Sequence, residues 1–406
     1  MPLVNKSYWY YDTLGPDNAE FVREQREVSM VTRIRDWDAD SNDYYIIEFK
    51  SVFALNLARL TDDIPADIFT KIKDPNSQCY MILENFHEGF NRIIPEIYAF
   101  VIDKYKIPAA KVILWSGALD IQKQIDEYAL NTGKEKFKYA SMIEFEFSVQ
   151  SDYFGMFDPK GGAGGFTFNT LESKPYPKKY LNFNRRWRLH RPLLTALLKC
   201  VDRLDDGYVS LSLADDSRGW DTELDYIVHE AELFHTGVGA VLHHNKSKIA
   251  NIGNLTLDKP DLSINQAALE ITKEIRHMYE NTYFSVVSET IFFTDYWGWE
   301  DSCFLSEKIF KAILFRHPFV LVATPHTLKH LRAIGYKTYS PVIDESYDSV
   351  EDNYERLIAI TKEIDRLCKL KGEALDDYLK YCKEIADHNY KLLTTKKQFI
   401  YNHYDL

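Results

Sequence analysis

The chain has 406 residues, room for two or three domains at about 150 residues each. Apolar residues make up 45 % and charged residues 27 %, which excludes disorder as the main state. The 49 basic and 61 acidic side chains leave a net charge of −12, which excludes a basic footprint over the whole surface but not a local basic patch.

Residues 1–44 are polar and aromatic, with a charged patch at 33–43. From there short runs rich in β-branched or aromatic residues alternate with longer helical segments. Strands are predicted at 45–52, 79–86 (CYMILENF), 111–116 (KVILWS) and 141–149 (SMIEFEFSV). A helix is predicted over 93–105, where Ile94, Ile97, Tyr98 and Val101 recur at i, i+3, i+4 and i+7, and another over 120–131. Strands separated by helices of this length indicate parallel β-α-β units, and near-continuous apolar strands indicate a sheet covered on both faces.

The glycines at 161, 162, 164 and 165, followed by Pro175 and Pro177, mark a break at 158–177. No G-K-[ST] follows them, so a hinge is expected there rather than a phosphate loop. The alternation then restarts. Strands are predicted at 179–184, 208–213, 283–293, 318–324 and 336–339; helices at 192–201, 224–234, 267–279, 306–315 and 327–334, with Gly335 as a C-cap. Residues 351–395 carry helical patterns and no strand signal. Two successive α/β halves and a helical tail are the expected plan.

The densest basic stretch is NRRWRLHR at 184–191: Arg185, Arg186, Arg188, His190 and Arg191. It lies between a predicted strand end and a predicted helix start. Ligands of parallel sheets gather at the carboxyl ends of strands, helix starts offer N–H donors, and arginine grips phosphate in two-pronged fashion. A diphosphate site, a solvated basic loop and a contact to a DNA backbone are all consistent with it. A second constellation is FLSEKIFK at 304–311. There Glu307 and Lys308 open a helix after Ser306. A carboxylate so placed can accept both hydroxyls of a ribose while the ammonium balances a phosphate; ordinary capping by Ser306, with Glu307 as a first-turn acid, is the simpler alternative.

Other features point to no chemistry. Asp36, Asp38 and Asp40 (DWDAD) have the D-x-D spacing but lie early in the chain, and Asp215–Asp216 is uninformative. His235, His243 and His244 lack a suitably spaced carboxylate for a metal site. Cys79, Cys200, Cys303, Cys368 and Cys382 form no C-x-x-C pair and read as free buried thiols in a reducing compartment. The start of the chain lacks a signal-peptide pattern, and the longest apolar runs are strand-sized, too short for a membrane span. A cytoplasmic protein is expected.

The stretch from SVVSETIFF to FLSEKIFKAILFRHPFVLVATPHTLKHLRAIGYKTYSPVIDESYD resembles the donor-binding half of GT-B glycosyltransferases. It is similar to the fucosyltransferase and exostosin-type pattern: a strand ending in S-E-x, a T/S-E-K helix, and a strand carrying P-F/V-V. It resembles more closely a group of uncharacterised phage and bacterial proteins. Those combine an N-R-R-x-R-x-H-R segment, an S-E-K-x-x-K-x-I helix, an L-G-[FY]-K-T turn and a D-E-S-Y-D end. The resemblance covers about residues 178–348.

The resemblance implies an α/β fold of two Rossmann-like halves in GT-B architecture, with C-terminal helices crossing back. The expected domains are an acceptor-side domain at 1–177, a donor nucleotide-sugar domain at 178–348 and a helical segment at 349–406 packing on both. Glu307 would hold the nucleotide ribose; Lys308, Arg185, Arg186 and Arg188 would face the diphosphate; Ser288 and Glu289 would line the same cleft. No metal and no cofactor is expected, the nucleotide-diphosphate sugar being the donor substrate. A base in the first half would deprotonate the acceptor, the candidates being Glu88, His87 and Asp120. The resembling sequences are often viral, which would make the location the host cytoplasm. Both a hydroxymethylated base in viral DNA and a saccharide fit as acceptor. The alternative is an inactive nucleotide-sugar-binding or structural protein with a GT-B-like shell. A phosphotransferase lacks its P-loop or kinase motif here.

Overall fold

In the computed structural model the described residues are 66–77, 80–85, 89, 93–143, 145–146, 149, 171–184, 187–211, 219–253, 255, 257, 273–293 and 302–396, with the backbone of four strands at 9–13, 31–33, 44–48 and 400–403. The strands are β1 (Trp9–Thr13), β2 (Val31–Arg33), β3 (Tyr44–Glu48), β4 (Tyr80–Asn85), β5 (Val112–Ser116), β6 (Lys138–Met142), β7 (Tyr180–Asn184), β8 (Gly207–Leu211), β9 (Phe284–Ser288), β10 (Phe319–Val322) and β11 (Ile400–His403). The helices are α1 (Ala66–Lys73), α2 (Ile93–Glu96), α3 (Ile121–Thr132), α4 (His190–Cys200), α5 (Gly219–Phe234), α6 (Thr236–His244), α7 (Lys246–Ile249), α8 (Lys273–Glu280), α9 (Glu307–Leu314), α10 (Thr327–Ala333), α11 (Asn353–Cys368) and α12 (Glu373–Thr395). The fold is mixed α/β with one largely parallel and one parallel sheet, as the alternation of strand and helix patterns predicts.

The chain divides into two compact units. The first comprises residues 1–144, 295–304 and 398–406; the second, 145–294 and 305–397. These bounds differ from the expected ones at 177/178 and 348/349. The polypeptide just after β6 already belongs to the second unit. There Glu146, fully buried, accepts from the Lys396 ammonium at 2.8 Å and from the Tyr336 hydroxyl. The expected helical tail is also divided: α11 and α12 lie in the second unit, while β11 belongs to the first.

The first unit holds a seven-stranded sheet in the order β11-β6-β5-β4-β3-β1-β2. Every pairing is parallel except that of β11 with β6. All five residues of β5 are buried, the mark of a strand covered on both faces. Phe69 and Ile72 of α1 and Ile121 and Ile125 of α3 join its core, each buried aliphatic side chain stabilising the unit by roughly 1.5–3 kcal/mol. The predicted apolar face of Ile94, Ile97, Tyr98 and Val101 is buried, but the winding is not α throughout. After α2 the chain widens into a π-helix over Ile97–Lys104, closed by a bond from the Tyr105 amide to the Phe100 carbonyl at 3.3 Å. The strand expected over 141–149 lies instead at Lys138–Met142 and shares two residues with it, since the chain leaves the sheet after Met142.

The second unit holds a four-stranded parallel sheet in the order β10-β9-β7-β8. β9 is central and wholly buried. Helices α4 and α9 follow β7 and precede β10; α11 packs on α4 and β10, and α12 packs on α9. Arg356 of α11, 1 % exposed, donates to the carbonyls of Phe292, Ala323, Val350 and Glu351 at 2.8–3.1 Å and stacks on Phe292. It thereby joins the loops after β9 and β10 to the C-terminal helices. The strand expected at 336–339 does not form. The Asn389 amide of α12 bonds both the N–H and the C=O of Lys337 at 2.8 Å, standing in for a neighbouring strand. Gly335 closes α10 with φ of 101°, as its position after the helical pattern predicts.

A methyl group at Gly207, the first residue of β8, would sit inside the ring of Tyr180. That ring is fully buried and tied by its hydroxyl to the Arg203 carbonyl, so it has nowhere to turn. Gly207→Ala is expected to lower unfolding stability by about 1–3 kcal/mol in urea with the m-value unchanged. An unaltered midpoint would contradict this packing.

Candidate functional site

β9 ends at Ser288, deep in the second unit, and Glu289 extends the ladder by one bond to the Val322 carbonyl at 2.9 Å. The next two carbonyls at this end need donors away from water. The first two residues of α4 supply them. Arg191 donates to the carbonyls of Ser288 and Glu289 at 3.2 and 3.3 Å, and Nε2 of His190 lies 3.1 Å from that of Glu289. A carbonyl only accepts, so His190 carries its proton on Nε2. Burial, with the charges of Arg191, Arg188 and Lys308, pushes His190 well below its ordinary range, and the ring is neutral. It stacks on Phe292 with ring centres 5.3 Å apart.

A polar network runs inward along β7. Asn182 donates to the Val286 carbonyl at 2.7 Å and to the Ser288 hydroxyl at 3.1 Å, and its own oxygen accepts from the Asn184 amide. The Asn184 backbone amide bonds Ser210 of β8 at 3.0 Å. Both asparagines are buried. Their signal in the sequence is two polar residues at i and i+2 on one face of an otherwise apolar strand, YLNFN.

Glu289 then fixes the start of α9. Its Oε2 accepts from both the backbone amide and the hydroxyl of Ser306, the former at 3.2 Å. Ser306 is also the N-cap of α9, its hydroxyl oxygen accepting from the Lys308 amide. That same oxygen accepts from the Lys308 ammonium at 2.8 Å. The ammonium further pairs with Glu307 at 3.1 Å and reaches Thr290 at 3.5 Å. Burial acts to raise Glu307, but Lys308 and Lys311 outweigh it and hold the carboxyl at about 2. Glu307 is therefore ionised at any physiological pH. Its side chain is 25 % exposed and that of Lys308 24 %, whereas Glu289 is wholly buried. A ligand arriving from solvent meets Glu307 and Lys308 first.

Seven of the expected ligand-binding residues thus converge at the carboxyl end of β9: His190, Arg191, Ser288, Glu289, Ser306, Glu307 and Lys308. They do not share one task. His190 and Arg191 are each 2 % exposed and hold backbone carbonyls, so they build the site's wall. Arg188 is half-buried and donates to the Trp187 carbonyl at 2.9 Å, while Trp187 donates to Glu223. Arg185 and Arg186 lie outside the described residues, as do Glu88 and His87. Asp120 belongs to the first unit, just before α3. Its Oδ1 accepts from the Cys303 amide at 3.0 Å, and the Leu119 amide bonds the Cys303 carbonyl at 2.9 Å. Asp120 thus ties residues 303–304 to the end of β5. Among the remaining histidines, His235 caps α6 and pairs with Glu355 at 2.8 Å, and His243 lies 3.5 Å from Glu232. Among the described residues no group of three His, Cys, Asp or Glu is arranged to hold a metal ion. The residues at 36–40, 161–165 and 215–216 are outside those described.

No family model and no curated protein matches the chain. Among solved structures, the N-terminal domain of trehalose-6-phosphate phosphatase from Candida albicans is similar at a TM-score of 0.36 and 11 % identity, over 87 % of this chain and 68 % of that one. A likeness of that size carries no statement about fold or function.

Ser306→Ala would take a donor from Glu289, an acceptor from Lys308 and the cap from α9. A loss of about 1–3 kcal/mol in urea unfolding is expected. A loss below about 0.5 kcal/mol would show that this hydroxyl does not organise the helix start.

Proposed function

We propose that the chain is a metal-independent glycosyltransferase of GT-B type, each parallel sheet being one Rossmann-like half, and that the second unit binds the nucleotide-diphosphate sugar donor. The observation that carries this reading is the Glu307–Lys308 pair: ionised, partly exposed, at a helix start, at the carboxyl end of a central parallel strand. A carboxylate held ionised by two lysines accepts from paired ribose hydroxyls. An ammonium beside it, with the positive end of the α9 dipole, complements a diphosphate. The sequence resemblance assigns the same two residues to the same ligand.

In the reaction the bond from the anomeric carbon to the diphosphate breaks, and a bond to the acceptor oxygen forms. Lys308, with Arg185, Arg186 and Arg188, would stabilise the departing diphosphate. The acceptor proton would pass to a carboxylate or imidazole, for which Glu88 and His87 are the sequence candidates; Asp120 is the weaker one, its Oδ1 being bonded to an amide. The acceptor is a hydroxymethylated base in viral DNA or a saccharide. Turnover on DNA that weakens steeply with salt would select the first, since duplex binding depends on released counterions. No described helix is long and apolar enough to cross a membrane, and a cytoplasmic setting goes with this reading.

The engagement of Asp120 favours one second reading, a nucleotide-sugar-binding protein without turnover. The two part on a simple measurement. The wild-type chain should be stabilised against heat by one among UDP-, GDP-, ADP- and dTDP-sugars, by about 2.7 kcal/mol at a hundredfold excess over Kd. Glu307→Ala and Lys308→Ala should each weaken that binding by about 10- to 100-fold while leaving the unliganded protein folded. Binding without hydrolysis or transfer would select the second reading. No stabilisation by any of the four, or unchanged affinity in both variants, would refute the donor site.

A further inference from the structure

Regular pairing of β9 with β10 ends where the Glu289 amide bonds the Val322 carbonyl at 2.9 Å. Just beyond that point a guanidinium takes over. Arg356 of α11 donates five bonds, one for each of its N–H groups. Nε donates to the Ala323 carbonyl at 3.1 Å, and Nη1 to those of Val350 and Glu351 at 2.8 and 3.0 Å. Nη2 donates to the Phe292 carbonyl at 2.8 Å and to Asn353 Oδ1 at 2.7 Å. Ala323 directly follows the last ladder acceptor, and Phe292 lies three residues after Glu289. The guanidinium thus binds the two strand continuations where the ladder has stopped.

These bonds bear on Lys308 through the segment 289–292. The segment is fixed at its start by His190 and Arg191, which hold the Glu289 carbonyl, and at its end by Arg356, which holds that of Phe292. The Phe292 ring is shared by both anchors: the His190 ring centre lies 5.3 Å from it and Arg356 Cζ 4.4 Å. Within the segment are two residues that set the Lys308 ammonium. Glu289 holds the Ser306 hydroxyl, whose oxygen accepts from Lys308 at 2.8 Å, and the Thr290 hydroxyl lies 3.5 Å from the same ammonium. Glu307 at 3.1 Å completes its surroundings. A lysine ends in a point charge on a flexible stem, so its acceptors decide where the charge sits.

We propose that Arg356 is a positioning residue of the donor site: it holds the segment 289–292 in the one arrangement that keeps the Lys308 ammonium in place for the diphosphate. This rests on the donor site proposed above. Arg356 itself, 1 % exposed, touches no ligand and acts through Phe292, Thr290 and Glu289. A lysine at 356 keeps the positive charge, but its single nitrogen cannot span acceptors on both loops and at the start of α11. A purely structural role makes a different prediction. It would lower stability throughout the unit and leave the affinity of the folded protein, and its dependence on Lys308, unchanged.

The test uses the full chain as wild type, Arg356→Lys, Arg356→Met, Lys308→Ala, and Arg356→Lys combined with Lys308→Ala, each held below its unfolding transition. Hydrogen exchange without ligand comes first. Arg356→Lys should speed exchange of the Ser306 and Lys308 amides by about tenfold or more, while the amides of β8, at the other edge of the sheet from β10, keep their wild-type rates. Unchanged rates at those two amides, or an equal rise throughout the unit, would overturn the positioning role whether or not any nucleotide binds. Calorimetric titration then uses whichever of the UDP-, GDP-, ADP- and dTDP-sugars gives the largest thermal shift. Arg356→Lys should bind about tenfold more weakly than wild type, and Arg356→Met at least as weakly. In the Lys308→Ala background Arg356→Lys should cost less than about threefold, because the group that it positions is gone. Should Arg356→Met fail to fold, Arg356→Lys decides. Wild-type affinity in Arg356→Lys, or its full loss repeated in the Lys308→Ala background, would overturn the role while leaving the donor site standing. Failure of wild type to bind any of the four sugars would instead remove the donor site, and the role of Arg356 in it.

Discussion

A parallel strand buried on both faces must end somewhere, and its last carbonyls must find donors without water. At the end of β9 this requirement is met by His190 and Arg191, which bring the first turn of α4 onto the carbonyls of Ser288 and Glu289. The strand end then offers one side chain, Glu289, whose carboxyl takes both donors of Ser306 and so sets where α9 begins. Two helix starts and a strand end are locked by one small set of buried polar contacts. Partly exposed Glu307 and Lys308 are the outer layer of that lock, and their position depends on the inner one.

Charge has a different distribution from that suggested by the sequence alone. The net charge of −12 concealed a basic segment at 184–191, and the density of that segment invited the view that all its cations face one ligand. They do not. Arg191 and His190 point inward to backbone carbonyls, and Trp187 is turned to Glu223. A count of cations carries no information about direction; helix phase does. The cations that solvent can reach at this site, among the described residues, include Lys308, and its partner Glu307 is the acid that stays ionised.

Much of the fold was legible. Continuous apolar strands such as VILWS gave themselves away because a parallel sheet covered on both faces tolerates nothing else. The i, i+3, i+4, i+7 pattern at 94–101 marked the buried face correctly, but period alone could not distinguish an α-helix from the wider π-winding that follows Glu96. The apparent strand at 336–339 has the right composition and lacks a neighbour; the Asn389 side chain, 52 residues on, took the place of one. The site was legible where residue type and local position coincide, as at Ser306, Glu307 and Lys308. It was opaque where role depends on distant partners. Asp120, a base candidate after a strand, also accepts the Cys303 amide, and the composition of the strand that holds Asn182 and Asn184 does not show that they bond each other and β9.

On the function proposed above, the carboxyl end of β9 and the start of α9 receive a nucleotide-diphosphate sugar. A crystal structure of the chain with a non-transferable nucleotide sugar tests this most directly. The ribose hydroxyls should lie within hydrogen-bond distance of the Glu307 carboxylate and a diphosphate oxygen within reach of Lys308. A nucleotide bound anywhere other than at these two side chains would contradict it.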